Sequence, residues 1–341
     1  MNRALNEART SFQESKKKAE PVDFGWYPYD TFGILDVLTR HLPVASLIDR
    51  IRGLPIADLG GADGGASFFF ESLGFEVDFI DYPRTNFNAM KGVRAIKLVA
   101  GSKVRIFEID LDSQFELPRA KYGLVLFLGL LYHLRNPYYA LERLSMYTAR
   151  CLISTRVAKL TPDRKTDISG YSLAYLLDVG ESNNDPTNYW IMTDVCFKRL
   201  LKRTGWRVVD YFVHPSSSGV SDAATNEGDE RAFALIETRR DGSGPKIEAW
   251  GPRSMIVGQI PNVQPDGHLG LWIRIAGEQP LGHVQIQFDG IPRATAVQER
   301  LFTTGIPPDL LTRPGKYEIT IKQTSTGETL PVGTFVINPR Q

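Results

Sequence analysis

One stretch restricts what this 341-residue chain can fold into more than any other: Ile56-Ala57-Asp58-Leu59-Gly60-Gly61-Ala62-Asp63-Gly64-Gly65-Ala66. An apolar run ends in an acid, passes through a glycine-dense turn and enters a helix-like segment, Ala66 to Leu73. A strand feeding such a turn admits a ligand close to the backbone, at the positive end of the next helix. A second apolar run, Val77-Asp78-Phe79-Ile80, ends at Asp81. An acid roughly 20 residues beyond the glycines suits an acceptor for ribose hydroxyls. The chain is therefore expected to bind a nucleoside-bearing small molecule. A dinucleotide fingerprint wants glycine at the first, third and sixth positions of the turn, and the third here is Ala62. Asp58 lies outside that fingerprint and suits a ligand carrying an amino-acid group near the turn.

Further motifs follow in order. Val104 to Asp112 forms a short strand pattern with acids at its end. Tyr122 to Leu131 is a continuous apolar run, as in a strand buried on both faces, and it leads into Tyr132-His133-Leu134-Arg135-Asn136-Pro137. Asn184-Asp185-Pro186-Thr187-Asn188-Tyr189-Trp190 precedes a helical stretch, Asp194 to Thr204, and a Gly205-Trp206 turn. Taken together, residues 50 to 240 resemble the class I S-adenosylmethionine-dependent methyltransferases, with Ala62 standing where that family usually has glycine. The Leu-Tyr-His-Leu-Arg-Asn-Pro string is most similar to the branch that includes tRNA wobble-uridine carboxymethyltransferases. The resemblance implies S-adenosylmethionine as cofactor. Gly60, Gly61 and Gly64 would let the backbone approach its methionine portion, and Asp58 would order the turn or reach the amino group. Asp81 would take the ribose hydroxyls and Asp110 the adenine amino group. Leu111 would pack on the ring, with Tyr82 and Leu128 completing the cofactor site. If Ala62 needs a positive φ, its Cβ costs about 1 kcal/mol; a helical φ would cost little.

Composition sets bounds. The length suits two domains. A formal net charge of +1 provides no basic field to gather nucleic acid. Cys151 and Cys196 fall in apolar surroundings, so they are expected as core thiols in a reducing compartment. No stretch approaches the roughly 20 apolar residues of a spanning helix. The first 20 residues contain no apolar export segment, and a cytoplasmic location is expected.

Three parts are expected along the chain: residues 1–45, 46–240 and 246–341. The first begins with a solvated helix in which Lys16-Lys17-Lys18 forms a wet face. The aromatic run Phe24 to Tyr29 then precedes a helix, Thr31 to Leu42. This segment either anchors the helix or forms a lid over the ligand. The second part alternates strands and helices, the pattern of an α/β, Rossmann-like, doubly wound parallel sheet. Its last strands are expected at Arg207–Val213 and Arg231–Thr238, with the last one reversed as in the resembling family. The polar loop Ser216–Glu230 lies between them. Arg240 to Pro245 has linker composition. Beyond it Val284, Ile286 and Phe288, and later Tyr317, Ile319 and Ile321, alternate with polar residues. This predicts an all-β sandwich, and Gln287 to Lys322 resembles Ig-like IPT/TIG modules. Such a module binds partners, mediates homo-oligomer contacts or braces its neighbour.

His133 follows a central strand, where open α/β sheets bind ligands, and either acts as a base or packs the loop. Trp26, Tyr29, Tyr132, Arg135, Tyr189 and Trp190 are candidate walls of an acceptor pocket, with core packing as the competing reading. His41, His214, His268, His283 and the cysteines lack metal-ligand spacing, and no metal is expected. The leading expectation is methyl transfer to a small-molecule or glycan-like acceptor, without a membrane partner. An RNA-modifying methyl or carboxymethyl transferase and a non-catalytic cofactor-binding protein are the alternatives. A nicotinamide oxidoreductase fits less well.

Overall fold

The computed structural model describes residues 2–340 except 216–218, 225–229, 239–245, 277–283, 299 and 325–328. Two compact units, Met1–Thr238 and Arg239–Gln341, make up the chain. The linker expected at Arg240–Pro245 and much of the Ser216–Glu230 loop lie outside the described residues.

The first unit opens with α1 (Asn2–Ala19), α2 (Thr31–His41) and α3 (Val44–Arg50). Strands and helices then alternate: β1 (Ile56–Leu59), α4 (Gly65–Ser72), β2 (Val77–Asp81), α5 (Lys91–Ala100), β3 (Arg105–Glu108) and β4 (Leu124–Leu128). The unit continues through α6 (Pro137–Leu144), β5 (Arg150–Arg156), β6 (Ala174–Leu176), β7 (Trp190–Met192), α7 (Asp194–Arg203), β8 (Trp206–His214) and β9 (Arg231–Thr238). Seven strands form one sheet in the order β3-β2-β1-β4-β5-β9-β8. β1 runs parallel to both β2 and β4, while β9 runs antiparallel to β5 and to β8. This is a Rossmann-like α/β core with its last strand reversed, as the sequence led us to expect.

The apolar runs explain the layering. Successive side chains on a strand point to opposite faces, so a strand covered on both sides must be apolar throughout. On β4, Val125 and Phe127 join a core with Leu141 and Leu144 of α6 and Phe197 and Leu201 of α7. Leu124 and Leu126 point the other way and are equally buried. Strand order reverses between β1 and β4, which opens a crevice at their carboxyl ends.

α1 departs from the expectation of a solvated helix. Leu5, Phe12 and Ser15 are buried, and the helix packs on α2, α4 and α5. Lys17 and Lys18 are exposed, but Lys16 is drawn inward, as described below. Among the described residues, no single helix is long and apolar enough to cross a membrane.

The second unit comprises β10 (Lys246–Gly251), β11 (Ser254–Ile256), β12 (Leu269–Ala276), β13 (Val284–Phe288) and β14 (Ile291–Arg293). It is completed by β15 (Ala296–Gln298), β16 (Leu301–Ile306), β17 (Gly315–Gln323) and β18 (Thr329–Asn338). One sheet has the order β10-β12-β16-β15 and the other β11-β18-β17-β13-β14. Leu269, Leu271, Ile273 and Ile275 alternate inward from the first sheet to meet Ile286, Phe288, Ile319 and Phe335 of the second. The alternating pattern in the sequence is therefore that of an all-β, two-sheet unit with one apolar core.

Candidate functional site

The glycine turn joins β1 to α4 with three left-handed residues at alternate positions: Gly60 at φ +65°, Ala62 at +53° and Gly64 at +85°. Glycine takes this conformation without penalty. Ala62 is thus the strained case of the two that the sequence left open, at a cost of about 1 kcal/mol. Space is short as well. A Cβ on Gly60 would lie 2.8 Å from Leu130, and one on Gly61 would lie 2.6 Å from Asp58 Oδ2. Asp58 is buried beneath the turn, where its Oδ2 accepts the Ser67 hydroxyl at 2.7 Å. Burial pushes its carboxyl up to about 6, and the Ser67 hydrogen bond opposes that shift.

A cleft of about 420 Å³ opens at the carboxyl ends of β1 to β4. That volume suits a small organic ligand. Gly60, Ala62, Asp81, Tyr82, Asp110, Leu111 and Leu128 line it, so six of the nine expected cofactor residues face one space. Asp58, Gly61 and Gly64 do not line the cleft; they build the turn beneath it. Asp81 ends β2. Its Oδ1 accepts the Tyr82 N–H at 2.7 Å and its Oδ2 accepts Asn86 Nδ2 at 2.8 Å. Burial pushes the Asp81 carboxyl up to about 6, with the nearby Asp58 charge acting in the same direction. Asp110 Oδ1 accepts the Asp112 N–H at 2.9 Å and so fixes the turn after β3. Leu111 is buried among core residues yet contributes to the cleft wall.

The aromatic segment supplies a roof. Tyr27, Pro28 and Tyr29 line the cleft, together with Phe87. One carboxylate fastens them. Asp63 Oδ2 accepts the Tyr27 N–H at 2.8 Å and Lys16 Nζ at 3.0 Å, while its Oδ1 accepts Asn88 Nδ2 at 2.8 Å. Lys16 also lies 5.0 Å from the Phe12 ring centroid and 4.9 Å from that of Trp26. A cation between two aromatic faces and an acid is anchored, not solvated. Trp26, expected as an acceptor wall, packs on Phe24 and Lys16 and does not line this cleft. Anchor and roof are thus neighbouring parts of the same segment.

The opposite wall is made by Leu130, His133, Arg135 and the loop Asn183 to Thr187. Arg135 Nε lies 3.5 Å from Asp112 Oδ2. Tyr132, Tyr189 and Trp190 do not line this cleft. Tyr132 lies under the Arg231 guanidinium, which donates to its hydroxyl at 3.4 Å. The Tyr189 N–H donates to the Tyr132 carbonyl at 2.8 Å, and Trp190 pairs with Leu176 in a two-stranded ribbon. All three support the loop from behind. Sequence reasoning missed Tyr27, Ala62, Asn86 and Asn183 to Thr187 as lining residues. The Asn and Pro content of the last stretch was a turn signal, with no indication of where the turn would dock.

His133 lines the cleft at the end of a short 3₁₀ turn, Leu131–His133. Its Nδ1 lies 2.9 Å from Thr187 Oγ1 and 3.3 Å from the Thr187 carbonyl. Burial lowers its pKa, although the Asp185 charge pulls upward. Elsewhere, His41 packs at a tilt against Phe212, His214 ends β8 exposed, and His268 pairs with Asp266; His283 lies outside the described residues. Cys151 is a buried thiol whose pKa burial raises, whereas Cys196 is only half-buried. Among the described residues no group of three or more His, Cys, Asp or Glu could hold a metal ion.

No family profile matches the chain, and no curated protein matches it. Solved structures do show likenesses. The N-terminal domain of EvdMO1 with SAH bound is 17% identical, with a TM-score of 0.43, over 68% of this chain and 97% of that one. The same domain in the presence of SAH and D-fucose is also 17% identical, with a TM-score of 0.42 over the same shares of both chains. The YcgJ protein from Bacillus subtilis is 10% identical, with a TM-score of 0.41, over 58% of this chain and 98% of that one. Likenesses this weak say nothing about what this chain binds.

Proposed function

We propose that the first unit is an S-adenosylmethionine-dependent methyltransferase acting on a small-molecule acceptor. One observation supports this reading above the others: acids at or just beyond the ends of adjacent parallel strands, Asp81 and Asp110, share one cleft with the glycine turn at the point where strand order reverses. Such a crevice is where open α/β sheets bind nucleoside ligands. The chemistry of the lining fits the cofactor. Gly60 and Ala62 bring backbone to the cleft surface, Asp81 offers a fixed carboxylate to ribose hydroxyls, and Asp110 with Leu111 offers an acceptor and an apolar surface to adenine. When bound, S-adenosylmethionine supplies an electrophilic methyl group on a sulfonium sulfur. The roof of Tyr27 to Tyr29 excludes water, and the wall of His133 to Arg135 orients the acceptor. The glycan-like acceptor is a finer version of this reading, and an RNA-modifying transferase of the wobble-uridine branch is its alternative. The second unit we take to be an Ig-like accessory module that makes protein or homo-oligomer contacts.

Calorimetric titration with S-adenosylhomocysteine is the test. Binding is expected, with affinity falling as pH drops through about 6, because Asp81 accepts ribose hydroxyls best as a carboxylate. Asp81→Ala should weaken binding by about 1–3 kcal/mol. Heat with NAD and none with S-adenosylhomocysteine would overturn the assignment.

A further inference from the structure

Thr187 is 54 residues from His133 in sequence, yet it touches the ring, and the direction of its hydrogen bonds can be worked out. Its hydroxyl has a single proton. Thr187 Oγ1 donates that proton to Asp185 Oδ1 at 2.6 Å, and the Thr187 N–H donates to the same oxygen at 2.8 Å. Oγ1 can therefore only accept from His133 Nδ1, and the Thr187 carbonyl, 3.3 Å away, is likewise an acceptor. Both contacts require a proton on Nδ1. In a neutral imidazole, Nε2 then carries the lone pair, and it has no protein partner among the described residues. Tyr132 fixes the ring plane from one side, with centroids 4.3 Å apart. Asp185 and Arg231 are the charged groups whose fields reach the ring, and they act in opposite directions.

We propose that Asp185 and Thr187 are positioning residues that hold His133 as the Nδ1–H tautomer, leaving Nε2 as the proton acceptor for a hydroxyl-bearing substrate. This rests on the methyl-transfer reading above. A hydroxyl oxygen is a weak nucleophile until its proton leaves, whereas a tertiary amine or thioether has no proton to give. An oriented, neutral imidazole is therefore matched to a hydroxyl acceptor. His133 Nε2 takes the hydroxyl proton as an oxygen lone pair forms the new O–C bond. The electron pair of the broken C–S bond goes to sulfur, and Nε2 afterwards releases its proton to solvent. Thr187 keeps its hydroxyl proton and Asp185 remains a carboxylate throughout.

The test starts with nitrogen-15 NMR of the His133 ring in the 341-residue, cofactor-free protein, with the signal assigned by its loss in H133Q. Wild type and Thr187→Ser should show the Nδ1–H tautomer. Thr187→Val should show a mixture, and Asp185→Asn should lower the His133 pKa. An Nε2–H tautomer in wild type, or an unchanged tautomer in Thr187→Val, would overturn the proposal. Calorimetry with S-adenosylhomocysteine on the same samples separates the two readings: binding lost in wild type defeats methyl transfer, whereas the tautomer result stands by itself. With S-adenosylmethionine and a panel of phenols and monosaccharides as probes, His133→Gln should reduce turnover about a hundredfold or more. The wild-type acid limb, lost as Nε2 gains a proton, should disappear in the residual rate. Turnover retained within threefold in that variant, or no hydroxyl probe methylated by wild type, would overturn the assignment of Nε2.

Discussion

Ala62 shows what a single backbone angle does in this protein. At φ +53° its Cβ crowds the neighbouring carbonyl, a strain that glycine avoids. Ala62→Gly relieves it but also loosens the unfolded chain, and the two effects oppose each other. The strain is the larger, so we expect Ala62→Gly to stabilise the first unit by about 0.5–1 kcal/mol, read as a shift in the urea midpoint at unchanged slope. An unchanged or lower midpoint would mean that the turn relaxes around alanine. The sequence identified this position as unusual but could not give its φ, because neither neighbouring residue dictates it. Asp81, Asp110 and His133 were legible for the opposite reason. Asp81 and His133 each follow an apolar run, and Asp110 follows a short strand pattern, whose end the sequence marks clearly. Asn86 and Thr187 were not, since each reaches its partner across a loop whose course depends on the completed fold.

Among the elements, β2 carries a buried carboxylate that is held by charge. Asp78 is fully buried on it and accepts Arg105 Nε at 2.8 Å and Nη2 at 2.7 Å, Arg119 Nε at 3.0 Å and the Tyr122 hydroxyl at 2.8 Å. Arg105 lies on β3, so this carboxylate clamps the edge of the sheet whose strand ends carry the cleft acids. Burial alone would raise the Asp78 pKa, but the hydrogen bonds from Arg105, Arg119 and Tyr122 outweigh it and hold the carboxyl below its ordinary value. A carboxyl lowered on folding stabilises the fold above its unfolded pKa, and that contribution is lost as pH falls through the lowered folded value. Asp78→Asn should therefore cost about 2 kcal/mol near neutral pH, less than for a fully buried pair because both arginines are partly solvated. The gap from wild type should close in acid, and a denaturation series against pH would show it. A constant gap would assign the loss to packing. The sheet itself was readable from its apolar runs, whereas α1 was misread. Leu5 and Phe12 are too sparse a stripe to announce a packed helix, and what fixes Lys16 is a carboxylate 47 positions away.

At the level of the molecule, the two units have separate cores, one α/β and one all-β. Among the described residues, each sheet draws its strands from one unit. A fragment of residues 1–243 should therefore unfold cooperatively on its own, and calorimetric and van't Hoff enthalpies should agree. Insolubility of that fragment would show that the first unit needs the second. Within the first unit, one feature bears on time as well as on structure. Asp63 holds the roof segment through Tyr27 and the first helix through Lys16, and it sits in the glycine turn itself. Lifting the roof away from that turn means surrendering bonds that converge on this one carboxylate. We expect Asp63→Asn to shorten the dwell time of a molecule bound beneath the roof, although that side chain need never touch it.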